Sequence, residues 1–329
     1  MRKYCLSLLL LLLTLVSNAV EPPKREIRGV WLTTVYGLDW PRKPATTETG
    51  RKAQQRDVCD ILDRLQDANF NTVFLQVRMR GDVIWRSAIE PASKIFSGKY
   101  GMMPGYDPLA FVVDECHKRG MECHAWFVTF PLGTDKSVIE QGKLSVVRRQ
   151  PKLCKRHNGE WYLDPGVPGT SDYVLSLVKE LVNGYDIDGI HFDYIRYPEQ
   201  AKSFPDKNLY NKYGKKRPLA EWRRENINKM VYRIYDWVKS VKPWIQVSSS
   251  PLGKYNRIER VPNAGWTAYE SVFQDPKMWM QNGKQDIIVP MMYYLHKNFF
   301  PFVDNWVDNC NGRLVVPGLG AYRMDKSEA

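Results

Sequence analysis

The chain has 329 residues, 43% of them apolar, 11 tryptophans and a formal net charge of +12. That composition excludes an intrinsically disordered chain and fits a globular domain with a large core. The surplus of positive charge favours acidic partners (anionic glycans, membrane surfaces or nucleic acid) unless it only solvates the outer helices.

The N-terminus reads Met1-Arg2-Lys3, then an unbroken Leu8 to Leu13 run, then Ser17-Asn18-Ala19. A charged start, an apolar run and small residues make a secretory signal peptide over residues 1–19. The apolar run is too short for a membrane span, and no later segment is apolar enough for one. The expectation is an exported protein, periplasmic or extracellular, without an integral membrane segment after signal cleavage. Such a protein meets glycans rather than nucleic acid. Cys59, Cys116, Cys123, Cys154 and Cys310 are scattered without CxxC spacing, which indicates neither a disulfide framework nor a zinc site. Cys116 and Cys123 are either a pair or two buried thiols.

The first strand is expected over Ile27–Thr33. Apolar residues at Val58, Ile61, Leu62 and Leu65 have helical spacing across Gln54–Gln66. A second strand spans Asn71–Val77. Asp107-Pro108 opens a helix by N-cap and first-turn proline, and Arg119-Gly120 closes it. A third strand covers Met121–Phe127. Residues 128–169 show little periodicity and read as one long functional loop. Gly169-Thr170-Ser171-Asp172 should cap a helix through Leu181. The fourth strand enters Ile187-Asp188-Gly189-Ile190-His191-Phe192-Asp193-Tyr194-Ile195-Arg196-Tyr197-Pro198. A long helix over Leu219–Val241 follows. Strands five, six and seven are expected at Trp244–Ser249, Asp286–Met292 and Leu314–Pro317.

Strands that alternate with helices and read as near-continuous apolar runs make a parallel sheet covered on both faces. Without a glycine-rich phosphate loop, the pattern is that of an α/β (β/α)8 TIM barrel. It breaks off after strand seven, so residues 20–329 are expected to form a barrel domain truncated by its C-terminal unit, with a natural seven-stranded barrel as the alternative.

In such a barrel, chemistry is done at the carboxyl ends of the strands. If Ile190 and Phe192 face the helices, His191 and Asp193 face the axis. Asp193 is then a catalytic carboxylate or a partner for Arg196, whereas Asp188, at the strand's start, is structural. Glycoside hydrolysis needs a second carboxyl group about 5 to 10 Å away as proton donor. Glu270 and Asp275 follow strand five, although Asp275 before Pro276 is also a good helix cap. Asp82 follows strand two. Arg78 and Arg80 suit an anionic sugar or a rim salt bridge. His124 and Trp126 alternate on strand three, so both are placed inward. Trp31, Tyr293 and Tyr294, like Trp126, offer rings for sugar stacking or core filling. No HxH or HExxH spacing and no GxSxG elbow is present, so no metal or cofactor is expected.

Glu26-Ile27-Arg28-Gly29-Val30-Trp31-Leu32-Thr33, Phe74-Leu75-Gln76-Val77-Arg78, His124-Ala125-Trp126 and the fourth-strand motif through Pro198 resemble the family-ten-like glycosyl hydrolases. Gln274-Asp275-Pro276 and Asp286-Ile287-Ile288-Val289-Pro290-Met291-Met292-Tyr293 fit the same pattern. The resemblance covers essentially the whole chain beyond the signal. It implies a TIM-barrel glycosidase of the bacterial envelope acting on peptidoglycan glycan strands, notably strands stripped of peptide, with its carboxylate at Asp193. A non-catalytic glycan-binding barrel and an envelope polysaccharide deacetylase are the alternative expectations.

Overall fold

A computed structural model describes residues 26–214 and 216–321. The signal peptide expected over residues 1–19 lies outside the described residues. In chain order the elements are β1 (Gly29–Leu32), α1 (Glu48–Asp67), β2 (Thr72–Arg78), α2 (Pro108–Lys118), β3 (Glu122–Val128), β4 (Pro131–Thr134), α3 (Asp135–Gln141), β5 (Cys154–His157), β6 (Glu160–Leu163) and α4 (Pro168–Gly184). They continue with β7 (Gly189–Asp193), α5 (Leu219–Val241), β8 (Gln246–Ser249), α6 (Ala268–Ser271), α7 (Pro276–Gln281), β9 (Ile287–Ile288), β10 (Met291–Met292), α8 (His296–Asp308), β11 (Leu314–Val315) and β12 (Gly318–Leu319).

Seven strands form one sheet in the order β1-β2-β3-β7-β8-β9-β11. Every neighbouring pair is parallel. They fall on the seven stretches expected from the sequence. Each residue of β2 and β7 is buried, as required of strands covered on both faces. The helix-facing side carries the larger core, with Val73, Leu75, Phe127, Ile190 and Phe192 against Val58, Val112 and Val178. A second cluster gathers Trp31 of β1, Phe74, Trp126, Ile287, Val289 and Leu314 of β11. First and last strands share that cluster, so the sheet curls around it as a TIM barrel does.

The structure differs from expectation in three places. Strands six and seven each split in two, because Pro290 and Pro317 have no N–H to continue a ladder. Beyond them β10 pairs with β12 in a separate two-stranded ladder. Residues 128–169 hold an antiparallel sheet in the order β4-β6-β5 rather than a structureless loop. Its hairpin turns at Asn158-Gly159, both with positive φ (49° and 82°), which is the preferred two-residue hairpin signal. Helix α4 starts at Pro168 and has Val167 as its cap, with no side-chain cap bond. Thr170 to Asp172 therefore lie inside the helix. By contrast, the Asp107 side chain does cap α2 through the Ala110 N–H.

Among the described residues, no helix is long and apolar enough to cross a membrane. The five cysteines among the described residues are free thiols, with Cys116 and Cys123 both buried. Asp188 accepts from the Cys123 N–H at 2.7 Å and pairs with His117 at 2.9 Å, a structural role at the strand's start.

Gly189 opens β7 opposite His124. A Cβ on Gly189 would come within 2.4 Å of His124 Nδ1. Gly189→Ala should therefore destabilise the barrel by about 1–3 kcal/mol through overpacking, read as a lower urea midpoint with an unchanged slope. Unchanged stability would mean that His124 does not fill the barrel at this level.

Candidate active site

The register sets the site. On β3 and β7, Trp126 lies opposite His191 and Val128 opposite Asp193. His191 in turn lies opposite Ser248 of β8. Successive inward layers are therefore His124 at the bottom, Trp126 with His191 and Ser248 in the middle, and Asp193 at the carboxyl end.

Asp193 is 7% exposed. Its Oδ1 accepts the Tyr194 N–H at 2.7 Å and its Oδ2 accepts Trp126 Nε1–H at 3.2 Å. Tyr194 has a left-handed backbone, φ 49°, a conformation that costs a non-glycine residue about 1–2 kcal/mol. Strain of this kind concentrates at functional sites. Burial raises the Asp193 pKa above its usual value, while the Arg196 charge and the Tyr194 and Trp126 donors oppose the rise. The result is a carboxylate desolvated at the mouth of a barrel and fixed by donors on both oxygens.

One layer down, Trp31 Nε1 donates to His191 Nε2 at 3.1 Å. An indole nitrogen only donates, so His191 Nε2 is unprotonated and the proton sits on Nδ1. That nitrogen faces Ser248 Oγ at 2.9 Å. Burial, and secondarily His124, push the His191 pKa down to about 3. His191 is thus a neutral, oriented support beneath the carboxylate.

The rim supplies the remaining groups. The Arg196 guanidinium, in a side chain 5% exposed, lies 4.6 Å from the Tyr194 ring and 5.2 Å from the Trp266 ring. Both rings are open to solvent, at 41% and 42%. A cavity of about 700 Å3 beside them is lined by Trp266, Glu199 and the exposed Glu270 of α6. Farther along the rim, Arg80 lies 3.6 Å from Glu160 and over the Tyr36 ring. Asp82 is buried, and burial pushes its pKa up to about 6 against the Ser93 hydroxyl and the Arg80 N–H. Tyr293 and Tyr294 are half-buried beyond β10, with the Lys254 ammonium 4.9 Å from the Tyr294 ring.

Three residues expected at the site have other partners. Arg78 is fully buried on the helix side, forked onto Glu90 at 2.7 and 2.8 Å and bonded to the Val128 and Thr129 carbonyls. Tyr173 completes the Glu90 shell at 2.9 Å. Asp275 Oδ1 takes the Tyr255 hydroxyl at 2.8 Å and the Met278 N–H at 3.4 Å, the contacts of a helix cap. His124 bonds Glu122 at 3.1 Å, two layers and about 13 Å below Asp193 along the strand. Trp126 is placed inward as expected and Trp31 lies inward beside it, but their indole nitrogens are committed to Asp193 and His191. Tyr36, Glu160, Tyr194, Ser248 and Trp266 were not among the residues singled out from the sequence. The alternation that turned His191 inward would have found Ser248, whereas the others sit on loops or inserted strands without periodic signal. Among the described residues, no group of three or more His, Cys, Asp or Glu is placed to hold a metal.

A model of the glycosyl hydrolase-like 10 family matches residues 26–307. The chain belongs to that family. Among curated family relatives, the glycosyl hydrolase DigH of Escherichia coli strain K12 is 36% identical over 293 residues, 83% of this chain and 67% of the relative. The glycosyl hydrolase YngK of Bacillus subtilis strain 168 is 33% identical over 282 residues, 82% of this chain and 54% of the relative. Two solved structures share the fold at low identity. The PgaB (BpsB) glycoside hydrolase domain of Bordetella bronchiseptica has a TM-score of 0.57 at 14% identity, covering 88% of this chain and 82% of that one. A Paenibacillus cycloisomaltooligosaccharide glucanotransferase has a TM-score of 0.54 at 13% identity, covering 91% and 39%. Family membership directs the site toward glycans.

The neutral His191 has a measurable consequence. Between pH 6.5 and about 3 the unfolded chain takes up a proton there and the folded chain does not, so this residue makes stability fall as pH falls through that window. Asp82 and Asp193, with raised pKa values, act with the opposite sign, so parent and variant must be compared. From about pH 7 to about pH 4.5, the parent should lose about 2–3 kcal/mol relative to His191→Phe in urea titrations. A constant difference between the two would mean that folded His191 titrates normally.

Proposed function

We propose that this protein is an exported glycosidase that hydrolyses O-glycosidic bonds of a polymeric glycan, with peptide-free peptidoglycan strands as its substrate class. The observation that carries this reading is Asp193, a carboxylate buried at the carboxyl end of β7 with a donor on each oxygen. A positively charged anomeric carbon develops in glycosidic cleavage. A fixed, desolvated carboxylate beside it gives far more stabilisation than one in water. The exposed Tyr194 and Trp266 rings give sugar faces a place to stack, and Arg196 between them suits an acidic substituent.

In this reading Glu270 donates the proton. It lines the cavity beside Trp266, whereas Asp275 is occupied as a helix cap. The Glu270 proton passes to the glycosidic oxygen as its bond to the anomeric carbon breaks; water then supplies the hydroxyl that ends on that carbon, and its other proton returns to the Glu270 carboxylate. His191, Ser248 and Trp126 do not touch the sugar; they hold the floor on which Asp193 sits.

Asp193→Asn should lower reducing-end release from peptide-free glycan strands by about 100-fold or more. A variant as active as the parent would remove Asp193 from the mechanism. Glu270→Gln should be slowed by about 100- to 10,000-fold on the natural glycan, yet much less on an aryl glycoside whose leaving group needs no proton. Equal losses on the two substrates would rule Glu270 out as the acid.

A further inference from the structure

The loops after β1 and β2 and helix α3 enclose a second cavity of about 430 Å3, lined by Tyr36, Arg80, Asp82, Lys94, Tyr100 and Glu140 among others. That is within the size range of small-ligand sites. Two of its cations are paired, Lys94 2.5 Å from Glu140 and Arg80 3.6 Å from Glu160, and Lys136 and Asp82 add one charge of each sign to its lining. A site so balanced favours an uncharged polar ligand over an ion.

Two features of the cavity have no explanation in packing. Asp82 is 5% exposed and its Oδ1 has no hydrogen-bond partner. A buried acceptor without a donor is costly, and a ligand hydroxyl or amide N–H would satisfy it. Tyr36 is 72% exposed on a left-handed backbone, φ 56°. Gln76 Oε1 holds that turn, accepting from Thr33 Oγ at 2.8 Å, Thr34 N at 3.0 Å and Val35 N at 2.9 Å. The Arg80 guanidinium lies 5.5 Å from the Tyr36 ring centroid. The fold therefore holds a large ring out in water on a strained turn, beside an acceptor that lacks a donor. The cavity's lining loops follow β1 and β2, at the same carboxyl end of the sheet on which Asp193 stands.

We propose that this cavity is a remote saccharide subsite, which takes a neutral hydroxyl- and amide-bearing unit of the glycan, stacked on Tyr36 and hydrogen-bonded to Asp82. The assignment rests on the glycan-cleaving reading and adds to it that the protein prefers long strands over short fragments.

The test is calorimetric binding of the disaccharide and the hexasaccharide of peptide-free peptidoglycan strands, using the full chain in an Asp193→Asn background so that neither is consumed. The hexasaccharide should bind about tenfold or more tightly than the disaccharide. Tyr36→Ala and Asp82→Asn should each bring that ratio close to one, and Tyr36→Phe should keep it. Thermal unfolding of each variant distinguishes a lost subsite from a damaged fold. A ratio that survives Tyr36→Ala and Asp82→Asn overturns the subsite, as does a hexasaccharide that binds no better than the disaccharide. Length-dependent binding by a parent that shows no turnover would leave the subsite standing and sink the hydrolysis reading alone.

Discussion

The parallel register of β3, β7 and β8 is the constraint on which the site depends. It places Trp126 beside His191, His191 beside Ser248, and Asp193 at the top of the same inward column. Side chains alternate with a period of two, so a slip of one residue would send Asp193 into the helix layer and bring Phe192 to the barrel mouth. The register is held by both cores at once. Ile190 and Phe192 pack outward among the helices, and the inward column closes on Trp31, Phe74 and Trp126. Gly189 contributes by what it lacks, since a side chain there would occupy the His124 ring's place.

Buried polar groups in this barrel fall into two kinds. Arg78 and Glu90 form a saturated set, with the guanidinium on two carboxylate oxygens and two carbonyls, and Tyr173 completing the shell. Such a set stabilises only while intact, because losing one partner leaves a buried charge. At the carboxyl end of the barrel the groups are not saturated. Arg196 Nε and Nη1 and Asp82 Oδ1 have no partners, and burial raises the pKa values of Asp193 and Asp82. The same desolvation that saturated pairs withstand leaves these groups poised to interact with something that is not the protein.

The rim is built by loops and short inserted elements. Tyr36 and Tyr194 both adopt left-handed backbones, and each presents a ring to solvent while Arg80 or Arg196 lies against it. The β4-β6-β5 insert brings Glu160 to Arg80, which ties the insert to the rim on the β2 side. The barrel determines where the carboxylate stands, and the insert and loops shape the groove around it.

All seven main-sheet strands, the long α5 helix, the Asp107 cap and the inward column through His191 and Asp193 were legible in the sequence. Each depends on short-range signals (near-continuous apolar runs for the strands, an Asp-Pro start for the cap, period-two alternation for the column), and an apolar run has few ways to bury itself except in a covered parallel sheet. The Asn158-Gly159 hairpin lies in the stretch expected as one long loop, because four-residue strands are too short for periodicity to show. The splits at Pro290 and Pro317 follow from the missing N–H at each proline. Tertiary structure alone decided the pairings: that Arg78 turns to Glu90 and not to a ligand, that Asp275 caps a helix, and that Trp126 donates to Asp193. It alone brought Tyr36, Arg80 and Asp82 around one cavity. Those outcomes depend on which side chains meet across large sequence separations and on how deeply each charge is taken out of water, and neither quantity exists until the sheet has closed on its two cores.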